Sequence, residues 1–162
     1  MGATIDADGR FSGYASLFGQ LDQGGDIVMP GAFAETLRRR APARVRLLFQ
    51  HDPKEPIGLW DEIVEDARGL RVSGRLLDVV PRAAHLKSLI AQGALDGLSI
   101  GFRAVRATRD RGTGHRRLWA VDLWEISIVT FPMMEAARIA SAPDGHEARL
   151  AATLGAAARM FS

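Results

Sequence analysis

The sequence predicts a mainly β domain with helices (α+β), in which about seven strands close into a β-barrel and the helices sit outside it. Three observations lead there. Apolar runs of strand length recur along the chain, separated by polar turns rich in glycine and proline. Up to residue 140, only two stretches are opened by a proline placed to start a helix. The chain of 162 residues is the length of one domain, able to bury roughly two-thirds of the surface its unfolded form exposes.

The elements follow in order. Arg10 to Phe18 alternates as a strand should, and Gly19 to Asp26 is a glycine-rich loop. Pro30-Gly31 introduces a helix over Ala32 to Arg40, which Pro42 stops. Val45 to His51 reads as a buried strand, ended by a turn at Asp52-Pro53. Gly58 to Val64 and Leu70 to Leu77 read as two strands joined through the polar turn Glu65 to Gly69. Pro81 opens a helix from Arg82 to Gln92, with Leu86, Leu89 and Ile90 as its apolar face and Gly93 as its C-cap. Leu98 to Val105 and Leu118 to Thr130 are strands flanking the charged tip Arg109 to Gly114, and Phe131-Pro132 ends the second. Beyond residue 140 the chain is alanine-rich and weakly helical, a tail (141–162) attached to a domain of residues 1–140.

Composition narrows the function classes. With 47% hydrophobic and 25% charged residues, the chain has the profile of a soluble globular protein. The absence of cysteine excludes disulfides and thiolate metal sites. The N-terminus lacks the apolar core of a secretory signal, and no run approaches the ~20 apolar residues that span a bilayer, so a cytoplasmic location is expected. Lys54 and Lys87 are the only lysines; the positive charge is arginine, clustered at Arg38 to Arg40 and between Arg109 and Arg117. No aromatic residues interleave with these arginines, so nucleic acid is not the expected partner.

The residues able to carry chemistry are few. Gly97-Leu98-Ser99-Ile100-Gly101 fits the pattern of a nucleophile elbow, but that elbow needs a helix after the serine and a histidine later in the chain. Here a strand follows, and the later histidines, His115 and His146, lie in loop and tail. What remains is a small hydroxyl between glycines, which would let a substrate backbone approach and free N–H groups for an oxyanion; alternatively, the serine sits where the chain enters a strand and the glycines serve a bulge. His85 belongs to a solvated helix. His51, at the end of an apolar strand, is where a strand delivers a side chain to a cleft rim, and an imidazole there suits a general base. Glu125 interrupts the apolar run Leu123 to Val129 and is costly to bury unpaired. It either orients an imidazole or points outward beside Asp122 and Ser127. Asp52 is a rival orienting group, though neighbours on an extended chain point apart. His51 and Asp52 have no further ligand at zinc-site spacing, and no phosphate-binding loop is present, so neither metal nor cofactor is expected.

Four blocks in order carry a resemblance. These are Gly13 to Phe18 with Asp26 to Val28 and Pro30 to Phe33; Leu48 to Asp52 with Pro56 to Gly58; Gly97 to Phe102; and Glu125 to Pro132. Together they resemble the phage prohead protease family over roughly Phe11 to Ala137. That family is similar in fold to the herpesvirus maturational proteases, a mostly antiparallel barrel wrapped by helices. The herpesvirus order is His, Ser and a second His on the next long strand, where this chain has Glu125. The resemblance therefore implies a catalytic triad of Ser99, His51 and Glu125, with Phe131 to Met134 the candidate oxyanion segment. It implies a serine endopeptidase that processes major capsid protein, scaffold and itself, as a homo-oligomer inside an assembling procapsid in the bacterial cytoplasm. The loop Arg109 to Arg117 would meet acidic scaffold. Two other readings are a structural or assembly subunit like a phage tail-tube protein on the same barrel, and an arginine-mediated nucleic-acid module.

Overall fold

The computed structural model describes residues 3–141. The tail reading for 141–162, and His146 with it, therefore lies outside the described residues except for Ser141. Seven strands are present: β1 (Arg10–Leu17), β2 (Asp26–Val28), β3 (Arg46–Phe49), β4 (Asp52–Glu65), β5 (Gly69–Leu76), β6 (Gly97–Arg109) and β7 (Arg116–Val129). Helices are few and short: α1 (Ala34–Arg39), α2 (Ala83–Ala91) and a 3₁₀ turn at Pro42–Arg44.

The sheet is open and mixed, which corrects the expected closed, mostly antiparallel barrel wrapped by helices. β1, β5, β4 and β3 form an antiparallel run, and β6 lies antiparallel along one edge of β7. The other edge of β7 takes two parallel partners, β2 at Arg116 to Leu118 and β3 at Glu125 to Ile128. Parallel pairing of β3 follows from the chain's route: residues after β2 cross over through α1 before re-entering beside β7. Between β1 and the start of β6 there is no ladder. Residues 137–141 cross that gap through isolated bridges, Gly13 to Ile139 and Gly97 to Arg138. A Cβ at Gly13 would overlap the Arg138 carbonyl oxygen, so this passage needs glycine.

Two local expectations also change. β4 starts at Asp52 and runs through Pro53 and Pro56, so the turn is not at Asp52-Pro53. It is the two-residue connection Gln50-His51, with φ of 55° and 58°. The prolines precede the point, Gly58, from which β4 also pairs with β5, so they have β3 on one side alone, where the register slips on both sides of Leu48. In α2, Leu86 and Ile90 are buried but Leu89 is exposed, so the apolar stripe is one residue narrower than its spacing suggested. β2 begins at Asp26, the last residue of the expected loop, and continues over Ile27 and Val28, for which the sequence predicts no element because three residues carry no periodicity.

The main core lies inside the curl of the sheet. Trp60 is buried there, edge-on to Phe11 with ring centroids 5.5 Å apart. A Cβ on Gly74 would sit 2.7 Å from Trp60 Cε3, so the indole lies flat on a strand that must be bare at that point. Among the described residues no helix is long and apolar enough to cross a membrane.

Gly58, in the middle of β4, has no room on either side: a Cβ would overlap the Arg75 carbonyl oxygen and lie 2.7 Å from Leu47 Cδ2. Because the carbonyl belongs to a paired strand and cannot yield, Gly58→Ala is expected to cost about 2–3 kcal/mol in urea unfolding. A loss below about 0.5 kcal/mol would mean that β4 and β5 separate more easily than their ladder implies.

Candidate active site

β6 and β7 run antiparallel, and strand alternation sorts their residues. Leu98 pairs with Ile128 and Ile100 with Ile126, forming one face; Ser99 pairs with Ser127 and Gly101 with Glu125, forming the other. Leu98, Ile126 and Ile128 are fully buried, each contributing about 1.5–3 kcal/mol. The polar face therefore rides on a rigid apolar floor. β3 lies on the far edge of β7, parallel, and its register places Leu48 beside Ser127. The turn that follows β3 delivers His51 over Glu125.

His51 Nδ1 and Glu125 Oε1 are in direct hydrogen-bond contact. The Glu125 side chain is only 13% exposed, and the imidazole is its partner, a cationic one when protonated. A carboxylate can only accept, so Nδ1 carries the proton, and in the neutral imidazole Nε2 then keeps its lone pair. The Glu125 hydrogen bond raises the His51 pKa above the ordinary histidine value; burial opposes this, and the carboxylate's charge adds to it. Of the two alternatives the sequence left for Glu125, the outward-pointing one beside Asp122 and Ser127 is not what the geometry has: Ser127 does share its face, but Asp122 does not. Asp122 is held by Arg40 at 3.0 Å and by the Trp124 indole at 2.8 Å, while Glu125 turns to His51.

Both residues of the His51 turn lie in the left-handed region, a strain of order 1 kcal/mol or more each for non-glycine residues. Hydrogen bonds hold it from two sides. The Gln50 N–H donates to the Ile128 carbonyl at 3.0 Å, and its side-chain amide donates to Thr130 Oγ1 at 2.6 Å while accepting the Thr130 N–H at 3.2 Å. The His51 N–H donates to Ser127 Oγ at 3.0 Å, and that hydroxyl donates to Glu125 Oε2 at 2.6 Å. Ser127, which the sequence offered only as a neighbour of an outward-pointing Glu125, is a member of the cluster. The available signal was its spacing, two residues from Glu125 on one strand and therefore on one face.

Ser99 is 5% exposed, more enclosed than a rim hydroxyl. Its Oγ has no hydrogen-bond partner among the described residues, and it is not among the fully occluded polar atoms. Ser99 and His51 line the same cavity of about 180 Å³, together with Val28, Phe102, Met133 and Asp22. Asp22 is there with its pKa raised, chiefly by burial.

The two glycines flanking Ser99 have separate steric reasons. A Cβ at Gly101 would lie 2.7 Å from Glu125 Cδ and overlap Oε1, so Gly101 is the space in which the carboxylate lies. A Cβ at Gly97 would lie 2.6 Å from the Val129 carbonyl oxygen and 2.8 Å from Pro132 Cδ. The other candidates fall away from the cluster. Asp52 accepts the Lys54 N–H at 2.9 Å as a turn cap, His85 is on the exposed side of α2, and His115 is at the β6–β7 tip. The arginine clusters are largely neutralised internally: Arg116 makes a bidentate pair with Asp26, Arg117 pairs with Asp110, and Arg38 and Arg39 pair with Glu35. No group of three His, Asp or Glu side chains among the described residues is arranged to hold a metal ion.

Comparisons with known proteins bear on this arrangement. The chain is similar to the prohead protease of Enterobacteria phage HK97, with 39% identity over 137 residues, covering 82% of this chain and 60% of that protein. It is similar to the prohead protease of Escherichia phage T5, with 28% identity over 144 residues, covering 85% of this chain and 66% of that one. It therefore spans less than two-thirds of either relative. Among solved structures, the KSHV protease in complex with a hexapeptide phosphonate inhibitor superposes with a TM-score of 0.57 at 12% identity, over 83% of this chain and 65% of that one. The bacteriophage T4 capsid assembly protease superposes with a TM-score of 0.58 at 11% identity, over 80% of this chain and 89% of that one. At such identities these likenesses establish a shared fold, herpesvirus-protease-like as expected from the sequence, but built on an open, curled sheet and not on the closed barrel. The family profile of the caudovirus prohead serine proteases matches residues 3–150, most of the length, and the chain belongs to that family.

Proposed function

We propose that the chain is a serine endopeptidase acting in procapsid maturation, with Ser99 as nucleophile, His51 as general base and Glu125 as the group that orients it. The observation that carries this reading is the His51–Glu125 contact beside an unpartnered serine hydroxyl in one cavity. With Nδ1 engaged, Nε2 is the nitrogen available to a proton. A purely structural subunit on this fold has no use for a strained turn that brings an imidazole to that place.

In this reading, Ser99 Oγ attacks the scissile carbonyl carbon as His51 Nε2 takes the hydroxyl proton. Glu125 stabilises the imidazolium that results. The tetrahedral intermediate collapses, the C–N bond breaks, and His51 gives its proton to the departing amine. Water then attacks the acyl-enzyme with His51 again as base, releasing the acid and restoring the Ser99 hydroxyl. The Phe131 to Met134 segment borders the cavity through Met133 and Met134, which suits it to supply oxyanion donors. The substrates in this proposal are the major capsid protein and scaffold, with self-cleavage, inside a procapsid assembling in a bacterial cytoplasm, where copies of the chain associate. The names of the phage relatives support that setting. Because Arg116 and Arg117 are ion-paired within the chain, they are poor candidates for gripping acidic scaffold.

Co-expression of Ser99→Ala with the cognate major capsid protein is expected to leave capsid protein uncleaved, a loss of order 10⁴-fold or more in rate. Unchanged processing would remove Ser99 from the mechanism. A second expectation concerns pH. His51 acts as base only when neutral, and its pKa is raised, so the acid limb of kcat/KM should lie above the ordinary histidine value of about 6.5. Glu125→Gln should move that limb to lower pH and reduce the rate by about 10²- to 10⁴-fold. A limb that does not move would mean another group titrates. Finally, Gly101→Ala should push the Glu125 carboxylate away from His51. The melting temperature should fall as well, since a carboxylate only 13% exposed is pushed off its partners, while kcat/KM falls by about 10-fold or more. Wild-type kinetics in Gly101→Ala would show that the carboxylate's place is not needed.

A further inference from the structure

We propose that Ser127 is a positioning residue for this site: its single hydroxyl fixes both the His51 backbone and the Glu125 carboxylate. The inference rests on the protease reading above and extends it to a group outside the triad. Ser127 is 0% exposed and lies directly opposite Ser99 in the β6–β7 ladder. Both capacities of its hydroxyl are used within the cluster. The proton goes to Glu125 Oε2 at 2.6 Å, and the oxygen accepts the His51 N–H at 3.0 Å. With its proton committed, Ser127 is not itself a nucleophile competing with Ser99.

Geometry makes each bond necessary. The β3–β7 ladder ends at Phe49 and Ile128, and the Gln50 N–H takes the Ile128 carbonyl. The next N–H, that of His51, turns at φ 58° to meet a side-chain oxygen instead of a ladder carbonyl. Ser127 Oγ thus extends the ladder by one position, at the residue carrying the imidazole. The Gln50–Thr130 clip holds the other side of the turn but touches neither His51 nor Glu125. Glu125 divides its oxygens, Oε1 to His51 Nδ1 and Oε2 to Ser127. Without a donor on Oε2 the carboxylate is free to rotate about its terminal bond, and Oε1 is no longer held against Nδ1. One hydroxyl therefore sets the distance between backbone, imidazole and carboxylate. Its loss would misalign the base without touching the substrate.

The test uses the full chain with Ser127→Ala and Ser127→Cys, the second nearly the same size but a feeble donor. In a peptide-cleavage assay, kcat should fall by about 10- to 100-fold in Ser127→Ala, with KM within about two-fold and Ser127→Cys in between. The same substitutions are then made with Ser99→Ala, which prevents self-cleavage, and followed by NMR. Hydrogen exchange of the His51 amide should accelerate by about ten-fold or more in Ser127→Ala, while amides of the β4–β5 ladder keep their rates. The low-field proton resonance of His51 Nδ1–H should be present with Ser127 and lost without it. An unchanged His51 amide with its resonance retained overturns the proposal whatever happens to kcat. A uniform acceleration across β4 and β5 overturns it too, as plain destabilisation. If the parent chain cleaves no peptide, the protease reading fails, and the NMR comparison still decides whether Ser127 holds these two groups.

Discussion

A carboxylate largely withdrawn from water is the constraint around which this structure is arranged. Glu125 stands in the middle of β7, with buried isoleucine and valine near it, and its side chain is 13% exposed. Such a group destabilises the fold unless hydrogen bonds and a cationic partner compensate. Three neighbours answer that demand: the His51 imidazole, the Ser127 hydroxyl and the absence of a side chain at Gly101. Removing any of them leaves either an unpaired oxygen or no space for it.

The sheet's connectivity supplies the imidazole. Because β3 joins β7 in parallel, the turn after β3 emerges at the C-terminal end of β7, above Glu125 and Ser127. The turn must reverse the chain in two residues, and both take left-handed dihedrals that neither glycine nor asparagine is there to ease. Clips from Ser127, Ile128 and Thr130 hold that conformation in place. Strain held in this way at an imidazole, next to a hydroxyl without a partner, is typical of a site organised before substrate arrives.

The open edge has a matching role. β6 is paired on one side only, and the cavity beside Ser99 borders it, walled by β1, the segment before β2 and the methionines after β7. A ladder closing β1 onto β6 along its length would cover that cavity. Residues 137–141 instead close only the base of the gap, through single bridges at Gly13 and Gly97. The arginines play no comparable part. Paired with Asp26, Asp110, Asp122 and Glu35, they stitch surface elements together, each at the modest strength expected of partly exposed ion pairs.

Much of this was legible in residue order. Strand-length apolar runs, prolines before helices and polar turns marked six of the seven strands and both helices, because period and punctuation are local properties. Ser99 between glycines, His51 at a strand end and Glu125 inside an apolar strand stood out by residue type alone, and the four ordered blocks pointed to the family. Partner and direction are not local. A period of two encodes a strand but not its neighbour, so the parallel pairings of β2 and β3, and the open sheet they produce, emerged only in three dimensions. The same holds for the turn at Gln50-His51, where Asp52-Pro53 looked the better breaker until pairing with β3 carried β4 through both prolines. Gly101 stood out in sequence only as a flank of Ser99, and Ser127 only as a neighbour of Glu125. Their importance comes from what lies opposite, a carboxylate and an imidazole 24 to 76 positions away along the chain, and only the folded sheet brings those together.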